Sequence, residues 1–245
     1  MHAEHEALLK QLHAASRGPA GRFEAKAYLG TGSGSLNVSV PARRKIARDW
    51  RAAHRDWPTA RVLALVDDLV QGETHEEKTL GLSILEFLGP GRRPFGPAEV
   101  DRWLDHLVGW AEVDSLCQSL FGPEDLLGDW PAWSALVRKL ARDPNINKRR
   151  AALVLLTRPV AKSSDPRLRD LALETVETLK GEREILITKA VSWILRSLIA
   201  NYRGALERYL QTQAPSLPKI AVREARAKLE TGRKTPRNPG ASARA

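Results

Sequence analysis

Trp110 and Asp114 lie four residues apart in the stretch Gly109 to Phe121. At 100° per residue, that spacing sets them one helical turn apart, about 40° offset, on one face. An indole beside a carboxylate has a chemical use. The carboxylate opposes a positive charge that develops nearby, and the ring face packs on a sugar or meets a cation. Hydrolysis of an N-glycosidic bond needs such help, because the sugar becomes oxocarbenium-like as the base departs. A leaving group that already carries positive charge needs little protonation, so no histidine or second acid is required. Each residue alone has a plainer reading, the tryptophan in a core and the aspartate as a helix cap or surface acid.

A repeat links this pair to other residues. Polar residues followed by apolar ones at +2 and +6 occur at Arg44, Lys78, Asp114, Arg150, Lys189 and Arg223, at intervals of 34, 36, 36, 39 and 34 residues. Each interval holds two helices and two turns, the size of a HEAT or armadillo-type unit. The expected fold is therefore all-α, a HEAT-like α-solenoid of about six two-helix repeats with a basic concave groove. In that register Arg44, Lys78, Arg150, Lys189 and Arg223 line one stripe, with Asp114 the acid among them. Trp193 follows Lys189 by four residues and Arg196 comes three later. Such a row neutralises phosphates and binds duplex without reading its sequence. A structural ion pair between Arg150 and Asp114 is the alternative.

The elements that must carry these residues are helical. Leu80, Ile84, Leu85 and Leu88 fit helical spacing, as do Val100, Leu104 and Leu107, and again Leu168, Leu171, Ala172, Thr175, Val176 and Leu179. Ser164-Asp165-Pro166 and Gly96-Pro97 are helix entries. SLNVSV (35–40) follows the glycine-rich LGTGSG and ends at Pro41, so it reads as a loop; no lysine-serine pair follows to make a phosphate loop. Trp50, Trp57, Trp103, Trp130 and Trp133 are assigned to the core or to repeat interfaces, and Cys117 is a small buried filler.

Composition narrows the partners. The 245 residues carry a formal net charge of +10 and a pI near 10, which points to a polyanion. From Trp133 to Lys162 eight Lys/Arg face one acid, Asp143, whereas acids gather in ETHEE (73–77) and GPEDLLGD (122–129). One cysteine and no His-Glu-x-x-His pattern argue against a disulfide framework and against a metal site. The N-terminus lacks the pattern of a secretory signal, and the run AALVLL (151–156) is too short to span a bilayer, so a monomer in the cytoplasm, nucleoid-associated when on DNA, is expected. Residues 1–230 are read as one domain and the polar tail 231–245 as disordered and basic.

At these residues the sequence resembles the AlkD-type DNA alkylation repair enzymes, HEAT-like repeat DNA glycosylases that excise positively charged alkylpurines. The resemblance covers about residues 20–228 and rests on Tyr28, VSVPARR (38–44), Trp110-x-x-Val113-Asp114, KRRAALVLL (148–156) and ITKAVSWILR (187–196). It implies that Trp110, Asp114 and Trp193 form a catalytic cleft, that Arg150 contacts DNA beside it, and that the lesion need not be buried in a pocket. With the register it also implies DNA contacts at Arg44, Lys78, Lys189 and Arg196, and Tyr28 closing one edge. Members often show Trp-Trp-Asp where this chain has Gly109-Trp110-Ala111. The expected partner is duplex DNA containing alkylated bases such as N3- or N7-alkylpurines, with no cofactor or metal, at the first step of base excision repair. A non-catalytic HEAT scaffold binding nucleic acid or an acidic protein is the rival reading.

Overall fold

A computed structural model describes residues 3–18, 30, 32–88, 94–118 and 120–235. Tyr28 and tail residues 236–245 lie outside them. The described chain is all-α: α1 (Ala3–Ala14), α2 (Val40–Ala53), α3 (Thr59–Val70), α4 (His75–Glu86), α5 (Pro97–Leu104), α6 (Gly109–Cys117), α7 (Pro123–Gly128), α8 (Trp130–Leu140), α9 (Ile146–Lys162), α10 (Pro166–Leu179), α11 (Ile185–Gln213) and α12 (Lys219–Thr231). Extended pairing among the described residues is limited to an isolated bridge between Gly34 and Thr74.

Local chemistry explains where the helices start and stop. Asp165 caps α10 by accepting the Arg167 N–H, with Pro166 behind it, and Gly96 enters α5 ahead of Pro97 while its N–H donates to Glu99. Thr74 and Glu77 close a reciprocal capping box on α4. Gly232, at φ +73°, ends α12 in a left-handed conformation that costs glycine little. Helix α11 is two helical stretches merged across a kink at Tyr202, whose hydroxyl lies 2.7 Å from the Ser163 carbonyl and 2.8 Å from that of Asp165.

The chain divides into two compact units, one of residues 1–121 with 128–136 and one of residues 122–127 with 137–245. In the first, α2 packs on α4 and α4 on α6, with α3 against α4 and α1 touching α2, α3 and α4. In the second, α9 packs on α11 and α11 on α12, with α10 against α9 and α11. The six register residues each sit four to six residues into one of these stacked helices, α2, α4, α6, α9, α11 and α12. Leu168, Leu171, Ala172, Thr175, Val176 and Leu179 are the buried face of α10, and a fully buried leucine of this kind stabilises by about 1.5–3 kcal/mol. Trp50, Trp103, Trp133 and Cys117 are buried as expected, whereas Trp57 and Trp130 are half-buried.

Polar contacts between neighbouring repeats recur at one-repeat spacing. Asp67 receives Arg102, Glu112 receives His75, Glu174 receives Arg138, Glu182 receives Arg149 and Glu224 receives Ser192, pairs 32 to 37 residues apart in sequence. One acidic run faces inward. Glu76 and Glu77 of ETHEE are buried rather than solvated. Glu76 accepts the Leu36 N–H at 2.8 Å and the Ser35 hydroxyl at 3.0 Å, so it holds the 35–39 loop, while Glu77 meets His5 of α1 at 2.9 Å.

Candidate active site and nucleic-acid interface

The first unit answers which way the Trp110–Asp114 face looks. In α6, Ala111, Glu112, Val113, Leu116 and Cys117 are buried, while Trp110, Asp114 and Ser115 remain half-buried at the surface. The helix is held from behind. Glu112 is 0% exposed and its Oε2 accepts the Val108 N–H at 2.9 Å, at the N-terminal end where the helix dipole favours negative charge. His75 Nδ1 lies 3.4 Å from Glu112 Oε1, and Lys78 Nζ lies 3.8 Å from Oε2. Lys78 also donates to the His106 carbonyl at 2.6 Å, so one ammonium joins the turn before α6 to the acid inside it. Rotation of α6 about its axis is thereby restricted, and the outward pair is aimed.

The front of α6 meets the glycine-rich loop. Gly30 has φ +62°, and a Cβ there would stand 3.7 Å from Trp110 Cδ1 and 3.8 Å from Gly109 Cα. Gly109 has φ +81°. That left-handed backbone is comfortable for glycine and costly for a bulky side chain such as tryptophan, which gives a conformational reason for Gly109. The loop thus serves the site by packing against the indole.

The second unit presents α11. Lys189 is exposed, and Trp193 and Arg196 are half-buried. Ser192, fully buried, donates to Glu224 Oε2 of α12 at 2.5 Å, and Arg196 Nε lies 3.5 Å from the same oxygen. Glu224 therefore grips the turn of α11 that carries Trp193. Burial lowers the Arg196 pKa from its usual value and the Glu224 charge works against that shift. Lys228 Nζ reaches the Arg196 carbonyl at 3.2 Å, fixing the same turn.

Two expected members of the cationic row are buried. Lys78 is 8% exposed, with its ammonium directed at His106 and Glu112, and Arg150 is 5% exposed, donating to the Leu186 carbonyl at 2.6 Å. Both stitch one repeat to the next, because a buried cation is retained only where acceptors surround it. Arg44 is exposed and pairs with Glu86 of α4. The first unit therefore holds Arg44, Lys78, Trp110 and Asp114, and the second holds Arg150, Lys189, Trp193 and Arg196. Glu112, His75 and Glu224 were missed by sequence reasoning. The Thr74-x-x-Glu77 spacing was a readable signal for the cap, but nothing local marks Glu112 or Glu224 as buried.

Among the described residues no cluster of three or more His, Cys, Asp or Glu could hold a metal ion. No helix among them is long and apolar enough to cross a membrane. A family model described as "DNA alkylation repair enzyme" matches residues 8–229. Among solved structures, the chain is similar to a "predicted DNA alkylation repair enzyme" from Enterococcus faecalis, with a TM-score of 0.65 and 17% identity over 83% of this chain and 91% of that one. At that identity the likeness is one of fold. No curated protein matches the chain.

Proposed function

The chain belongs to the DNA alkylation repair enzyme family, and from that premise we propose that it is a DNA glycosylase hydrolysing the N-glycosidic bond of positively charged alkylpurines, such as N3- and N7-alkylated bases, in duplex DNA. The observation that carries the reading is the outward Trp110–Asp114 pair on a helix whose opposite side is locked by buried Glu112. In the reaction the C1′–N bond breaks and its electron pair neutralises the departing cationic purine. Asp114 opposes the charge left on the sugar and orients the water that adds to C1′, whose proton passes to solvent. Trp110 packs on the deoxyribose beside it. Trp193 is a second aromatic contact to the DNA, with Lys189 and Arg196 on the backbone, Arg44 as a further phosphate contact, and Tyr28 as an edge residue. The products are a free base and an abasic site, the entry to base excision repair, and the working place is the DNA itself. A monomer suffices, with neither metal nor cofactor.

A non-catalytic scaffold is the second reading, favoured by the burial of Lys78 and Arg150, which gives those two cations a structural role. Mass-spectrometric measurement of bases released from alkylated duplex DNA separates the two. The glycosylase releases N3- or N7-alkylpurines in an enzyme-dependent way, and a scaffold releases none.

A further inference from the structure

Helix α2 and the turn after it carry a row of arginines of which the candidate site uses Arg44 alone. Arg44, Arg48, Arg51 and Arg55 follow one another by four, three and four residues. Arg44, Arg48 and Arg51 lie on α2, where at 100° per residue they fall within about 60° of one another and at 1.5 Å rise span about 10 Å, and Arg55 follows in the turn after the helix end. Arg48, Arg51 and Arg55 line a recess of about 270 Å³ with Ala52, Phe87 and Leu88. The apolar floor supports the stems of Arg48 and Arg55 and leaves their guanidinium heads toward water. Arg44 pairs with Glu86, and Arg48 lies 3.6 Å from Asp49 Oδ1. Arg51 directs its two terminal nitrogens at the His54 and Arg55 carbonyls, which fixes its guanidinium, yet its Nε is buried with no acceptor. Among the described residues no carboxylate is paired with Arg51 or Arg55. A preset cationic recess with an unsatisfied buried donor is suited to an anionic oxygen.

We propose that this recess is a second phosphate site, which takes the DNA backbone several base pairs away from the damaged nucleotide. The proposal rests on the reading of the chain as an enzyme acting on duplex DNA. Continuity favours DNA over a carboxylate-bearing protein segment: the row starts at Arg44, the phosphate contact proposed above, and leads into the recess. Its helical part, about 10 Å long, equals about three steps of duplex at roughly 3.4 Å each. Helices α2, α4 and α6 pack in sequence, and packed helices stand about 8–10 Å apart, so the recess lies roughly 16–20 Å from the helix of Trp110 and Asp114. The phosphates it reaches are therefore about five or six nucleotides from the lesion.

Hydroxyl-radical footprinting on a duplex with one central tetrahydrofuran abasic analogue tests this, with full-length wild type and the surface variant Arg48→Gln/Arg55→Gln. The wild type should protect the centre and a separate patch about five nucleotides to one side, and the variant should lose the flanking patch alone. Its slope of log affinity against log salt should fall by about 0.9 for each phosphate the variant no longer neutralises. An unchanged footprint and slope in a folded variant overturn the proposal. So does loss of binding to a labelled hexaglutamate peptide with the DNA footprint intact, which would assign the recess to an acidic protein segment. A wild type that protects nothing sinks the DNA-repair reading itself, an outcome distinct from failure of the recess alone.

Discussion

Glu112 and Asp114, two residues apart on α6, face opposite ways: Glu112 is fully buried and bonded to the Val108 N–H, while Asp114 stands half-exposed on the side of Trp110. One carboxylate builds the helix start and the other is the proposed reagent. The two are separable by mutation.

Asp114→Asn should lower single-turnover excision by a factor on the order of 10² or more, the scale of one strong electrostatic contact in a preorganised site. Duplex affinity should hold or tighten, since a charge that repels phosphate has gone. Stability should change by less than about 1 kcal/mol, as for an altered cap or exposed pair. A normal excision rate in this folded variant would remove Asp114 from the mechanism.

Glu112→Gln keeps an oxygen for the Val108 N–H but strands the Lys78 ammonium. Breaking a buried pair this way should cost about 3 kcal/mol. For a chain of this size that is a melting temperature lower by roughly 6–12 °C. Adding Lys78→Met should recover part of the loss, because the stranded charge is then gone. Calorimetry on the single and double variants decides, and an unchanged melting temperature in the single variant would mean that the pair does not hold the helix.

Lys78 and Lys189 should part company in salt titrations. Lys189→Gln removes an exposed cation, so the slope of log affinity against log salt should drop by about 0.9 with little change in melting temperature. Lys78→Met should do the reverse, leaving the slope alone and shifting stability. A reduced slope for the Lys78 variant would return that residue to the phosphate row.

Acid should weaken the first unit through Glu77. Burial opposes ionisation there, but hydrogen bonds from the His5 and Thr74 side chains and the Thr74 N–H hold the carboxyl down at about 2. A folded pKa below the unfolded one gives stability that is complete above the unfolded value of about 4.3 and is lost as pH falls toward the folded value. Glu77→Gln should therefore be less stable than wild type at pH 7, and the gap should narrow by pH 3. Urea denaturation at both pH values measures it; a gap of constant size would refute the linkage.

What the sequence disclosed and what it hid divide along physical lines. The buried face of α10 was readable residue by residue, because apolar spacing on a helix reports burial directly. The entries at Asp165-Pro166 and Gly96-Pro97 were readable too, since caps are local. The burial of Lys78, Arg150 and the ETHEE acids was hidden for one shared reason. Each long polar side chain is buried by acceptors or donors supplied from elsewhere in the chain, as with Lys78 and His106, 28 residues on, or Arg150 and Leu186, 36 residues on. Residue type argues for solvent in such cases, and only the partner reverses it. Gly109 was legible as a departure from related sequences, but its cause, a left-handed backbone, was not.

The one-repeat spacing of the polar contacts bears on how the chain is made. A nascent segment leaving the ribosome finds its polar partners in the stretch made just before it, 32 to 37 residues upstream for the Asp67, Glu112, Glu174, Glu182 and Glu224 pairs. Structure can therefore accrete during synthesis, each repeat templating the next, since these contacts run between neighbours. The His5–Glu77 contact, 72 residues apart, is a longer reach: α1 meets α2 and α3 first and gains this contact only once α4 has emerged.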